Sequence, residues 1–234
     1  RAVQRGLSYD ITRLLEADIN QKLKTGNVRI HVVCVPVTRG DMIPALLKGR
    51  GDIAMGNLTI TPERQKQVDF TYPTARNVVE ILVTGPGAAP VATVEDLSGK
   101  EVYLRKSSSY YESIEKLNAE FAQTGKAPVK VRLAPETLET EDILEMVNAG
   151  LVKATIADRH LALFWQQIFP QLTLHPEVAV RTGGEIGWMV RKDSPQLKAA
   201  LNALLARYPE GSPERHMLLQ QYLKDTKWAK AATS

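Results

Sequence analysis

Residues 8–24 set Ile11, Leu14, Leu15 and Ile19 at the i, i+3, i+4, i+8 spacing of one helical face, which predicts an amphipathic helix. Gly26 and Asn27 end it. The period then changes: residues 28–37, Val-Arg-Ile-His-Val-Val-Cys-Val-Pro-Val, form an apolar run that predicts a strand. A short helix is expected over 41–48, stopped by Gly49 and Gly51, then a short buried strand at Asp52-Ile-Ala-Met-Gly. Thr61-Pro62 opens a further helical turn, because threonine caps well and proline is favoured at the first helical position. Strands are expected at 68–70 and 78–84.

Gly85-Pro-Gly-Ala-Ala-Pro90 is the clearest break, with its prolines and glycines crowded into a loop. Beyond it, strands at 101–105, 129–133 and 154–157 alternate with helices at 109–123, 139–148 and 159–169. Residues 172–180 read as extended, Gly183-Gly184 as a second break, 185–191 as a strand, and 195–208 and 213–223 as helices. This alternation predicts an α/β fold with a mostly parallel sheet. The breaks divide the chain into a discontinuous first lobe, 1–85 with 184–234, and a second lobe, 86–183, inserted into it. Two connections then cross between lobes and form a hinge. One continuous sheet with two glycine loops is the competing arrangement.

Composition narrows the class. The 234 residues suit one large domain or two lobes of about 100 residues each. With 44% hydrophobic and 24% charged residues, a disordered tail or a collagen-like fibre is excluded. No apolar run approaches the ~20 residues that span a bilayer. The net charge of +4 is spread along the chain without a block of like charges, so nucleic acid is not an expected partner. Cys34 is the lone cysteine, which precludes an internal disulfide, and its place in the 28–37 run predicts a small buried hydrophobe. Arg1 opens onto polar sequence without a signal peptide, as expected of a mature or trimmed product.

Catalytic motifs fail on inspection. Ser113-Ile-Glu-Lys116 and Lys24-Thr25-Gly26 match two motifs of serine penicillin-recognising enzymes, but in the wrong order. There is no G-x-S-x-G elbow, P-loop or G-x-G-x-x-G after a strand. His31, His160, His175 and His216 are scattered singly, so no metal is expected, and no cofactor. An enzyme would need a nucleophile or base that the sequence does not offer, and a non-enzymatic role is expected.

Three segments carry binding chemistry. In Gly56-Asn57-Leu-Thr59-Ile-Thr61-Pro-Glu-Arg64 a strand gives way to a helix. Thr59 offers a hydroxyl and an N–H, and Arg64, in the first helical turn, has the fork geometry that grips a carboxylate. The plainer alternative has Thr61 as a cap and Arg64 paired with a surface acid. Arg105-Lys-Ser-Ser-Ser109 joins a strand to a helix, so Ser108 and Ser109 offer either a cap or an anion site. Asp158 ends an apolar strand, where open α/β sheets place ligands, or else caps the next helix. Together these match a zwitterion: Arg64 with Ser108 and Ser109 for a carboxylate, Asp158 for an amine. Tyr72 and Trp188 are candidates for cleft walls or for core.

Thr59-Ile-Thr-Pro-Glu-Arg64 followed by Val68-Asp-Phe and Tyr72-Pro73 resembles the family 3 extracellular solute-binding proteins. So do Met42-Ile-Pro-Ala-Leu-Leu-Lys-Gly-Arg-Gly-Asp-Ile53 and Asp96-Leu-Ser-Gly-Lys-Glu-Val102. The resemblance implies a type II periplasmic binding fold, with two lobes joined by a two-strand hinge. It also implies a small zwitterionic ligand held by Arg64, Thr59, Asn57, Ser108, Ser109, Asp158 and Tyr72. Ala75-Arg-Asn-Val-Val-Glu-Ile, Ser107-Ser-Ser-Tyr-Tyr-Glu-Ser113, Glu145-Met-Val-Asn-Ala-Gly150 and Arg181-Thr-Gly-Gly-Glu-Ile are similar to membrane-bound lytic murein transglycosylase F and its relatives. This second resemblance implies a monomeric periplasmic module, membrane-associated in the full-length protein. The module would sense an amino acid or muropeptide and regulate a C-terminal lytic transglycosylase domain, which is expected after 222–228 and absent from this chain. A free substrate-binding subunit of an amino-acid importer is the alternative. One departure is expected: the family opens with a strand and an aromatic-bearing loop, and Arg1 to Gly6 is too short and polar for them, with Tyr9 no replacement.

Overall fold

The computed structural model describes residues 7–56 and 58–208. The helix expected at 213–223, the opening residues 1–6 and Asn57 lie outside them. The elements, in chain order, are α1 (Leu7–Leu23), α2 (Met42–Leu47), β1 (Ile53–Ala54), α3 (Pro62–Gln67), β2 (Asp69–Phe70) and β3 (Ala75–Thr84). A 3-10 turn at Val94–Leu97 precedes β4 (Glu101–Arg105), α4 (Ser109–Gln123), β5 (Lys130–Ala134), α5 (Thr140–Asn148) and β6 (Ala154–Asp158). The last are α6 (Arg159–Gln166), β7 (Thr173–Ile186), β8 (Met189–Val190) and α7 (Pro195–Arg207).

The chain forms two compact units. The first comprises Arg1–Val37, Met42–Ala75 and Ile186–Ser234, and the second Thr38–Asp41 with Arg76–Glu185. The division falls at 75/76, inside β3 and ahead of the Gly85–Pro90 loop, and at 185/186, near the end of β7.

In the first unit β8 lies between β1 and β2 and is antiparallel to both, pairing Val190 with Ile53 and with Asp69. One core gathers Leu46, Leu58, Val68, Phe70 and Met189. A second sets Trp188 and Val190 against Leu15 of α1 and Leu201 and Leu204 of α7. Ile11, Leu14 and Ile19 border that core, so the face read from the periodicity of α1 is the buried one.

In the second unit β3 is central to a sheet ordered β6-β3-β7, with β6 antiparallel to it, while β4 and β5 pair in parallel. The Thr155 hydroxyl donates to the Tyr103 carbonyl at 2.8 Å and ties β6 to β4. One face packs Leu82, Leu104 and Ile156 on Ile114, Leu117 and Phe121 of α4. The other packs Ile81, Val83 and Ala157 on Leu144 and Val147 of α5 and Ala162 of α6.

Four expectations are corrected. The sheets are not mostly parallel: β1, β2 and β6 all pair antiparallel, whereas β4 and β5 pair in parallel. Strand direction depends on partners distant in sequence, which local periodicity does not encode. Residues 28–37 form no strand, and α1 side chains take backbone groups of this segment instead. Asn20 bonds both the N–H and the C=O of Ile30 at 2.8 Å, and Glu16 accepts the Val32 N–H at 2.7 Å. Cys34, on that segment, is exposed rather than buried. Finally, Gly183-Gly184 is no break, because β7 runs through it. A Cβ on Gly184 would come within 3.0 Å of the Val78 carbonyl, so glycine lets β7 lie close to β3.

Candidate functional site

The first unit holds Arg64. Thr61 caps α3 by accepting the Arg64 N–H at 3.3 Å, with Pro62 at the first helical position. The cap fixes the first turn and aims the guanidinium back along the incoming chain, where its Nη1 donates to the Thr59 carbonyl at 2.7 Å. Thr59 is itself pinned by an antiparallel bridge to Ile186. Arg64 is only 9% exposed and Thr59 2%, so a fork of N–H donors is set in a largely desolvated place. The cap of the plainer alternative is present, and Arg64 also reaches the Thr59 backbone carbonyl. Tyr72 is 61% exposed, with its N–H on Asn202 Oδ1 at 2.7 Å, whereas Trp188 is core.

The second unit holds Ser108, Ser109 and Asp158. Ser108 is the N-cap of α4: its Oγ accepts the Tyr111 N–H at 3.2 Å and donates to the Arg105 carbonyl at 2.7 Å. The Ser109 carbonyl accepts from Ser113 Oγ at 3.1 Å. The preceding residue, Ser107, already holds a carboxylate, giving its N–H to Glu136 Oε1 at 3.1 Å and its hydroxyl to Oε2. Anion affinity at this strand-to-helix turn is thus met from within the unit.

Asp158 ends β6 and is 2% exposed. Its side chain makes no capping bond to α6, while its N–H donates to the Tyr110 hydroxyl at 3.2 Å. Burial, then the neighbouring Glu80 carboxylate, pushes the Asp158 carboxyl up to about 7. Burial and the Asp158 charge also raise the Tyr110 phenol far above its usual range.

Sequence reasoning missed Glu80. It sits directly opposite Asp158 in the β3–β6 ladder and is fully buried. Ser113 donates its hydroxyl to Glu80, and Arg181 Nε lies 3.5 Å from Glu80 Oε1 and 2.9 Å from Ser113 Oγ. The signal was present: Val-Val-Glu-Ile-Leu-Val sets one carboxylate inside an apolar strand. Three motifs read separately in the sequence, around Glu80, Ser113 and Arg181, meet in this one cluster. Arg105 is also buried, with its Nη2 3.4 Å from Thr140 Oγ1 and Nη1 3.9 Å from Glu139; Arg39 joins the same Glu139. Among the described residues no group of His, Cys, Asp and Glu gathers to hold a metal.

The chain is thus built of two α/β units, each with buried polar side chains at its strand and helix ends. The chain belongs to the bacterial extracellular solute-binding proteins, family 3, whose model matches residues 3–225. It is 31% identical over 132 residues to the membrane-bound lytic murein transglycosylase F of Maricaulis maris, a match covering 56% of this chain and 27% of that protein. It is 32% identical over 149 residues to the amino-acid-binding protein AabA of Dichelobacter nodosus, covering 62% of this chain and 58% of that one. Among solved structures it is similar to an ancestral arginine-binding protein bound to arginine, at 26% identity and a TM-score of 0.67, covering 86% of this chain and 81% of that one. The fold is that of the type II periplasmic binding proteins. The chain spans well under half the length of the transglycosylase relatives it matches, 27% and 39% in two of them. No helix among the described residues is long and apolar enough to cross a membrane.

Proposed function

We propose that this chain is a non-enzymatic periplasmic module that binds an amino acid or a cell-wall peptide and serves as the regulatory part of a lytic transglycosylase. The observation that carries the reading is Arg64, a buried guanidinium set by a helix cap and a backbone carbonyl. Its fork suits a carboxylate, and Thr59 stands beside it. In the second unit, Asp158 is the acceptor for an ammonium. Arg64 of the first unit suits a carboxylate and Asp158 of the second an ammonium, and Tyr72 of the first unit offers an exposed aromatic surface. The regulatory role is supported by the transglycosylase relatives and by the motifs shared with them.

Titration calorimetry with L-arginine, L-glutamine and a disaccharide-tetrapeptide muropeptide tests the reading. Binding is expected for one of these classes, and its loss in Arg64→Ala. Wild-type affinity in that variant overturns the assignment of Arg64. A second reading, a free binding subunit of an amino-acid importer, is favoured by the match to AabA and by the likeness to an arginine-bound structure. A clear preference for the free amino acid over the muropeptide selects it.

A further inference from the structure

Two carboxyls face each other inside the second unit. Glu80 and Asp158 are register partners on antiparallel strands, where opposed side chains stand about 4.5–5.5 Å apart at Cβ. They are 0% and 2% exposed. Like charges directly opposed destabilise a ladder, and without water two carboxylates at that range do not both stay ionised.

Their surroundings are asymmetric. Glu80 takes the Ser113 hydroxyl and the Arg181 guanidinium. Asp158 has Tyr110 of α4 beside it. Arg39 from Thr38–Asp41 also bears on Asp158, while Arg105 at the end of β4 bears on Tyr110 and Glu139. Arg39 and Arg105 both address Glu139. Arg181 is paired with Glu80 at 3.5 Å.

We propose that Glu80 is a positioning residue for Asp158: facing it across the ladder, it makes the two buried carboxyls hold one proton between them, and an ammonium arriving at Asp158 displaces that proton. The proposal rests on the reading of Asp158 as an ammonium acceptor. The balance is simple. In the unligated unit the proton is on Asp158 and the charge on Glu80. The ammonium arrives as a cation, Asp158 becomes its carboxylate partner, and the proton goes to solvent. Each amine bound then releases a proton near neutral pH, and binding strengthens as the medium becomes less acidic. The direction of the Asp158 shift agrees with this.

The full chain, free of ligand, is titrated by carbon-detected NMR of its side-chain carboxyls. The pair is expected to show a step near neutrality in the wild type, and Glu80→Gln is expected to move the Asp158 step down by about one unit or more. A wild-type step in the ordinary carboxylate range, or one that stays near neutral in Glu80→Gln, overturns the shared proton. If Glu80→Gln does not fold, Asp158→Asn decides. Wild-type unfolding midpoints in urea are expected to fall as pH rises from 4 to 7, and this slope is expected to flatten in Asp158→Asn; an unchanged slope overturns the proposal. Calorimetry with L-arginine in buffers of different ionisation enthalpy then measures protons released, which should be near one per ligand at pH 6 and fall in Glu80→Gln. No release on binding overturns the coupling. Failure of L-arginine to bind overturns the ammonium reading on which the coupling rests, while the two titrations still judge the shared proton.

Discussion

Arg64 is useful because its surroundings leave it little choice. Thr61 fixes the helical turn, the turn aims the side chain, and the Thr59 carbonyl holds one end of the guanidinium. Removing the charge while its ligand's carboxylate stays buried is the costly case. Arg64→Ala is expected to weaken binding of a carboxylate ligand by about 2–5 kcal/mol, read by calorimetry. Thr61→Ala removes the cap, so it should cost about 1 kcal/mol of stability in urea unfolding. Asp158 acts on stability through pH. Its folded-state carboxyl is raised to about 7, so the folded chain keeps a proton that the unfolded chain gives up at ordinary carboxylate values. Between those limits stability declines as pH rises, opposite in sign to a salt-bridged aspartate. Arg64, Thr59 and Asp158 stood out as polar residues at strand and helix ends. Glu80 did not, because one acid inside an apolar strand gains meaning only from what lies across the ladder.

Elements were legible where the chain itself supplies the stop signals. The α4 bounds of Ser109–Gln123 follow from the Ser108 cap and an apolar face, and need no distant partner. Residues 28–37 lacked that self-sufficiency. They alternate like a strand, yet their backbone groups go to Asn20 and Glu16 of α1. Asn20→Ala removes bonds to both the N–H and the C=O of Ile30, so hydrogen exchange at Ile30 should rise while α4 stays protected. Gly85, where β3 ends, shows a tighter constraint. A Cβ there would sit 2.0 Å from the Val147 carbonyl of α5. Gly85→Ala is therefore expected to destabilise the second unit by about 1–3 kcal/mol or more, measured by urea unfolding.

At the scale of the molecule, each unit buries its own apolar clusters. Leu15 is 1% exposed at the centre of the α1–α7 core. Leu15→Ala should cost about 2–5 kcal/mol, seen as lost amide protection in α1, α7 and β8 with the β4–β5 ladder retained. Loss of protection in both units would mean they unfold as one. The two compact units divide within continuous strands, β3 and β7, where no composition shift marks the place. At that division the Thr74 N–H donates to the Ile186 carbonyl at 2.6 Å. The two ends of the 76–185 insert thus leave the first unit side by side. Such an insert is expected to behave as a cassette, exchangeable for the corresponding stretch of a relative at two adjacent joints, with Thr38–Asp41 of the same unit exchanged alongside it. A library of such grafts would let ligand preference be reassigned one body at a time.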